Sequence, residues 1–348
     1  MNKLAPSKTI KATAKSAYSQ QGVALITVML IVALAAIIAS QMTTRLQMQM
    51  QRSVNASFNQ QAYWYAMGAE EFAKRILIAS FKGDESVTNL KQPWAAGATS
   101  YPVAFGNIAG EITDLQSCLN LNALRKQQSV DSASPAAKTP NDKLPARIAL
   151  EKLLVALAID GVSSYEAEAM ADSLSDWLDD DGFISDYGAE DDDYASREFS
   201  YLAANNYLAS VNELRLIEHF TVPAILALKP YVCVLPQSST HKININTLDV
   251  EKAELLQALL GSTLDEAQQI LSARDEKGFE KIEDLYSLPE FSKIALEDWQ
   301  KSQFTIDSEY FSLKGHADFS DSFFYLTSIM QVKSDQKIQI ISRTIGRN

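Results

Sequence analysis

From residue 23 to residue 42 the chain carries no charge and is almost wholly apolar. Gly22 precedes this run, and the first charge after it is Arg45. A membrane span needs about 20 mostly apolar residues, so the run predicts a transmembrane helix. Beyond it the chain stays helix-compatible through Gln47, Met50 and Phe58 into Tyr63 and Trp64. Alternating apolar residues and glycines over 101–124 predict short strands, as do 310–313, 323–331 and 337–345, with a turn at Asp335-Gln336. Between these strand regions the period changes. Leu150, Leu153, Leu154 and Leu157 fall at helical spacing, and so do Leu255, Leu256, Leu259 and Leu260, then Ala267, Ile270 and Leu271. The Ser-, Ala- and Pro-rich stretch 129–145 reads as an exposed loop.

The helical middle repeats itself. Leu119-Asn-Leu-Asn-Ala-Leu124 matches Ile243-Asn-Ile-Asn-Thr-Leu248, each with Asn placed to cap a following helix. Ser163 with Glu166 and Thr263 with Glu266 then form the same capping-box pattern after a preceding helix. Two related helical subdomains are expected, over about 124–236 and 243–300.

The second subdomain resembles helix-hairpin-helix proteins that bind DNA. Its hairpin turn, Leu260-Gly-Ser-Thr-Leu264, has one glycine and no Lys or Arg. Over 243–300, Lys252, Arg274, Lys277, Lys281 and Lys293 are outnumbered more than two to one by Asp and Glu. That sign opposes a phosphate backbone. The fold resemblance therefore stands while nucleic-acid binding is not expected.

The 348 residues carry 31 Lys and Arg against 43 Asp and Glu, a formal net charge of −12. Lys3, Lys8, Lys11 and Lys15 precede the apolar run with no acid among them, which puts the N-terminus in the cytoplasm and the bulk of the chain across the membrane. Three readings compete for this start: a permanent anchor, a secretory signal peptide ending near Ala39-Ser40, and a leader cut after Gly22. The sharp polar-to-apolar switch at Gly22–Val23 and the long helix-compatible continuation favour the third. The two cysteines, Cys118 and Cys233, lie beyond the anchor, where an oxidising compartment lets them pair; two buried free thiols are the alternative.

Ten acids lie between Asp172 and Asp193, interleaved with Trp177, Phe183, Ile184 and Tyr187, and no Lys, Arg or His occurs from Leu153 to Ser196. Carboxylates crowded beside burying aromatics need counter-charge. A hard divalent cation supplies it, and calcium takes carboxylate and carbonyl oxygens. An EF-hand register fails, because aligning Gly182 with that loop's glycine puts Trp177 at its first ligand. The alternative is a solvated acidic face. Ten carboxylates without a nearby base do not suit tuned proton transfer. No nucleophile elbow, phosphate loop or dinucleotide fingerprint occurs, so no enzymatic activity is expected.

The N-terminal run with its break at Gly22 resembles type IV pilins and type II secretion pseudopilins. Most of that family carries Glu at the fifth mature residue; here, counting from Val23, the position is Thr27. This departure, Asp176-Trp177…Asp181 followed by Gly188-Ala-Glu-Asp-Asp192, and the closing strands are similar to the minor pseudopilin K family of type II secretion. The resemblance implies an α+β fold with a long N-terminal membrane and stem helix. A pilin-like antiparallel sheet domain would be interrupted by a large all-α insertion of two helix-hairpin-helix or SAM-like subdomains. The expected limits are a prepilin leader at 1–22, a stem at 23–60, the first part of the pseudopilin domain at 61–123, the insertion at 124–300 and C-terminal strands at 301–348.

It also implies cleavage between Gly22 and Val23 by a prepilin peptidase, methylation of Val23, and a neutral Thr27 suited to a subunit with none above it. Calcium would be held among Asp179, Asp181, Glu190, Asp191 and Asp192. Expected partners are minor pseudopilins of the I and J families in a tip complex, the major pseudopilin and the inner-membrane assembly platform. The chain would be single-pass in the bacterial inner membrane, its C-terminal domain periplasmic and assembled into a pseudopilus. Readings from other classes are a membrane-anchored DNA-uptake protein and a periplasmic binding protein with an uncleaved anchor.

Overall fold

The computed structural model describes residues 21–81, 87–126, 143–333 and 337–346. The four leader lysines, most of the 129–145 loop and the Asp335-Gln336 turn lie outside the described residues.

Helix α1 runs from Gln21–Ser80, 60 residues, and is long and apolar enough to cross a membrane. Up to residue 57 every described side chain is exposed. The chain divides into two units at this helix, residues 1–60 and 61–348. That division falls at the expected limit of the stem, residue 60, and the helix itself continues for twenty residues beyond it. Ala62, Ala66, Ala69, Ala73 and Leu77 recur every three or four positions, and these buried residues give the second half of α1 an apolar stripe.

That stripe packs on a five-stranded antiparallel sheet. In chain order its strands are β1 (Thr99–Val103), β2 (Gly106–Asp114), β7 (Tyr310–Phe319), β8 (Ser322–Val332) and β9 (Ile338–Ile345), which is also their spatial order. Residues 115–309 therefore leave the sheet after β2 and return to it at β7. The register aligns Ile112 with Leu313 and Phe311 with Met330. These four residues meet Ala73, Leu77, Phe81 and Trp94 in one apolar cluster. The alternating patterns over 101–114 and 310–345 thus belong to one sheet.

Among the described residues, four short strands and a series of α-helices lie between β2 and β7: β3 (Leu119–Asn120), α2 (Pro145–Ala156), α3 (Ser164–Leu178), α4 (Asp191–Ala195), α5 (Val222–Leu228), β4 (Val232–Cys233), β5 (Ile243–Asn244), α6 (Ala253–Leu260), α7 (Leu264–Ser272), three further short α-helices and β6 (Phe304–Thr305), with short 3-10 turns among them. They share a large apolar core that includes Leu150, Leu153, Leu154, Leu255, Leu256 and Leu259. Both expected capping boxes are present, Ser163 with Glu166 and Thr263 with Glu266. Gly261 ends α6 at φ +69, the left-handed turn that glycine adopts without strain.

The sequence repeat is a structural repeat. β3 pairs in parallel with β4, and β5 pairs in parallel with β6. The asparagines do more than cap. Asn122 clamps Leu208 by accepting its N–H at 2.7 Å and donating to its carbonyl at 3.1 Å. Asn246 does the same to Phe279, at 2.7 and 3.0 Å. Each buried amide thereby satisfies a loop backbone that would otherwise be buried unpaired.

Cys118 and Cys233 form a disulfide with Cα atoms 5.8 Å apart, stapling β3 to β4 across 115 residues. At the end of β2 the buried Asp114 carboxylate accepts hydrogen bonds from Thr247 Oγ1 (2.5 Å), Ser308 Oγ (2.6 Å) and the Gln116 N–H (2.7 Å). It joins the sheet to the second repeat. Burial outweighs these bonds and pushes its carboxyl up to about 6.

Candidate metal centre

The acidic run begins inside α3 and ends in α4. Asp172 and Asp176 lie on the buried face of α3. Asp172 pairs with Arg147 on α2. Asp176 accepts from the Ser185 N–H (3.0 Å) and hydroxyl (2.5 Å), which folds the loop back onto the helix. Gly188 is fixed by this return: a Cβ there would sit 1.8 Å from Asp176 Oδ2. Glu190 caps α4, with its oxygen accepting from the Asp191 N–H at 3.3 Å.

The fold brings Asp179, Asp181 and Glu190 together, with one oxygen from each within 4.8 Å of the others. Asp179 is only 2% exposed and Glu190 4%. Both oxygens of Asp179, and Oε1 of Glu190, are buried without a hydrogen-bond partner. Lys126 stands 4.0 Å from Asp179, beyond hydrogen-bond reach. Burial, and then the charge on Asp181, pushes the Asp179 carboxyl up to about 6. Burial, and then the charges on Asp176, Asp179 and Asp191, pushes Glu190 up to about 7. Buried carboxylates are ordinarily paired or metal-bound. An all-oxygen donor set of this kind suits a hard cation, a class that includes calcium.

The other two expected ligands are not drawn in. The Asp191 carboxylate accepts from the Ala203 N–H at 2.9 Å, so it holds the next loop, and Asp192 is exposed on α4. Short-range spacing grouped them with Glu190, but the first turn of a helix points successive side chains apart. The structural role of Asp176 was not foreseen; its signal in the sequence is the glycine at 188 facing it. On the helices that flank the loop, Trp177 meets Tyr194 edge-on at 5.1 Å, Tyr194 stacks on Tyr201 at 5.4 Å, and Arg197 lies over both tyrosines and pairs with Glu218.

Gly22 and Val23 lie in the first turn of α1, both exposed. The Thr27 hydroxyl bonds back to the carbonyls of Val23 (3.1 Å) and Ala24 (2.9 Å), satisfying itself within the helix.

Comparison with known proteins bears on the whole chain. Two family models, both described as Type II secretion system (T2SS), protein K, match residues 117–237 and 243–307, stretches that contain the first and the second structural repeat. The type II secretion system protein K of Aeromonas hydrophila is 35% identical over 334 residues, 94% of this chain and 97% of its own length. That of Pectobacterium carotovorum subsp. carotovorum is 33% identical over 332 residues, again 94% and 97%. A crystal structure of the GspK-GspI-GspJ complex from the enterotoxigenic Escherichia coli type 2 secretion system contains a chain 30% identical to this one. It superposes with a TM-score of 0.72, covering 87% of this chain and all of that one.

Proposed function

This chain belongs to the type II secretion system protein K family, and we propose that it caps the periplasmic pseudopilus as its tip subunit. It is a minor pseudopilin of a protein secretion system. The observation that carries the capping role is the combination of Thr27 with the large helical body at 115–309. An ionised carboxylate in the hydrocarbon is costly unless paired, and a subunit with nothing above it has no amine to pair with. The threonine hydroxyl needs no such partner. The body between β2 and β7 would obstruct any further subunit stacking on the head.

In this reading residues 1–22 are a leader removed by a prepilin peptidase, and Val23 becomes the methylated mature N-terminus. The sheet is the pilin-like domain, and 124–300 is inserted into it as two subdomains. The tip complex pairs this chain with the I and J minor pseudopilins, as the crystallised GspK relative is found with GspI and GspJ. The major pseudopilin lies below, and assembly proceeds from the inner-membrane platform. The head faces the periplasm.

Asp179, Asp181 and Glu190 hold calcium. The ion supplies positive charge to three carboxylates that otherwise repel one another, and so fastens the loop between α3 and α4. We assign the chain no catalytic step. The DNA-uptake reading is not supported: Gly261 serves as an ordinary helix C-cap, and the second repeat remains acid-rich.

Immunogold labelling of elongated pseudopili tests the capping role. Label confined to one end of each fibre is expected, and label along the length would overturn it.

A further inference from the structure

The chain between Asp179 and Glu190 turns back on itself to bring its two ends together. Asp179 is the C-cap of α3 and Glu190 the N-cap of α4. The clustered carboxylates cannot hold one another, since like charges repel. The closure is held from further back along α3.

Asp172 and Asp176 stand four residues apart on α3, so they share one face of it. Asp172 gives one oxygen to Arg147, and its other oxygen accepts from the Tyr187 N–H at 3.4 Å. Asp176 has the firmer grip. It is fully buried, its Oδ2 accepts from the Ser185 N–H at 3.0 Å, and its Oδ1 accepts from the Ser185 hydroxyl at 2.5 Å. Both of its oxygens are thus engaged by the returning loop.

Gly188 lies against the same carboxylate. Its backbone is outside the left-handed region, so conformational freedom does not call for glycine there. Space does. A Cβ would lie 1.8 Å from Asp176 Oδ2 and 2.8 Å from its Cγ, while the next nearest atom, in the Asp172 backbone, is 3.4 Å away. The Asp176 carboxylate therefore fills the gap between α3 and residues 185–188. Its charge also bears on Asp179 and Glu190 and helps raise both carboxyls. It is close enough to influence the cluster, yet it is not one of the three residues whose oxygens converge.

We propose that Asp176 is the positioning residue of the metal centre: it pins residues 185–188 to α3, and so sets the approach of Glu190 to Asp179 and Asp181 without contacting the ion. This rests on the calcium reading above. Removing a group that holds metal ligands in place typically weakens metal binding by about 10–100-fold.

The test titrates calcium alone into the full-length chain in detergent by calorimetry, and records melting temperatures in calcium and in chelator. Asp176→Asn and Asp176→Ala lack the same charge, but only the amide can accept from the Ser185 N–H and donate to the Ser185 hydroxyl oxygen. Asp176→Asn should therefore bind calcium about tenfold more tightly than Asp176→Ala. Ser185→Ala keeps the carboxylate and should still weaken binding. Gly188→Ala should weaken it about tenfold in the wild-type background. Added to Asp176→Ala it should cost nothing more, because the new methyl enters the space the carboxylate has left. In each weakened variant the rise in melting temperature on adding calcium should shrink. Equal affinities for Asp176→Asn and Asp176→Ala would overturn the proposal, as would wild-type affinity in Ser185→Ala or additive losses in the double variant. A fall in melting temperature that is the same in calcium and in chelator would also overturn it, by showing a purely structural role. No calcium binding by wild type would instead remove the calcium reading, and this proposal with it.

Discussion

Arg343 on β9 grips Glu70 on α1 with two hydrogen bonds, Nε to Oε2 at 2.9 Å and Nη2 to Oε1 at 2.7 Å. Glu70 is almost fully buried and also accepts from the Ser328 hydroxyl. Burial works against its ionisation, but the bonds from Arg343 and Ser328 outweigh it and hold the carboxyl below the usual range. The pair fastens the upper stem to the edge strand of the sheet. Arg343→Met should destabilise the head by about 3 kcal/mol, because it strands a buried charge. The further change Glu70→Gln in that variant should restore part of the loss, a coupling that urea denaturation of the single and double variants measures.

Reduction of Cys118–Cys233 should be costly. Loop-entropy reasoning for a bridge spanning 115 residues gives about 4–5 kcal/mol. The variant Cys118→Ala/Cys233→Ala should show a matching drop in urea midpoint with an equal drop for wild type under reductant. Identical midpoints with and without reductant would show that the parallel β3–β4 pairing needs no staple.

Asp114 and His241 should pull stability in opposite directions with pH. Asp114 has its carboxyl raised from 3.8 to about 6, so the folded state holds the extra proton and stability falls as pH rises through that window. The full effect is about 3 kcal/mol. Burial lowers His241 from 6.5 to about 4, so its contribution is present at neutral pH and lost as pH falls below 6.5. Wild type should therefore vary little between pH 4.5 and 6. Asp114→Asn should unmask the histidine and lose stability on acidification, while His241→Gln should gain it. Parallel profiles for all three proteins would contradict the assignment.

Calcium should raise the melting temperature and a chelator should lower it. An ion bound only by the folded state adds about 2.7 kcal/mol at a hundredfold excess over its dissociation constant. Asp179→Asn and Glu190→Gln should each melt higher than wild type in chelator, because a buried like charge is gone, and should lose the calcium response. Asp192→Ala, exposed on α4, should keep that response in full.

Much of this was legible in the chain because it rests on local pattern. The apolar run, the capping boxes at Ser163 and Thr263, and the Asn-x-Asn repeat are written in consecutive residues. The extension of α1 to Ser80 was not read, since Ala66, Ala69 and Ala73 become a buried face only when the sheet lies against them. Asp114 escaped notice for the same reason: its partners Thr247 and Ser308 are more than a hundred residues away. Within the acidic run, composition pointed to the cluster but could not separate Asp179 and Glu190, which fold inward, from Asp191, which turns to Ala203.

Native mass spectrometry of the complex, extracted from cells that make all three minor pseudopilins, tests the capping account most directly. One copy of this chain with one copy of each partner is predicted, with no species holding two copies of it. Its mature mass should correspond to a start at Val23 plus one methyl group. Complexes with several copies of this chain, or a stoichiometry that grows like that of a repeating fibre subunit, would contradict the account.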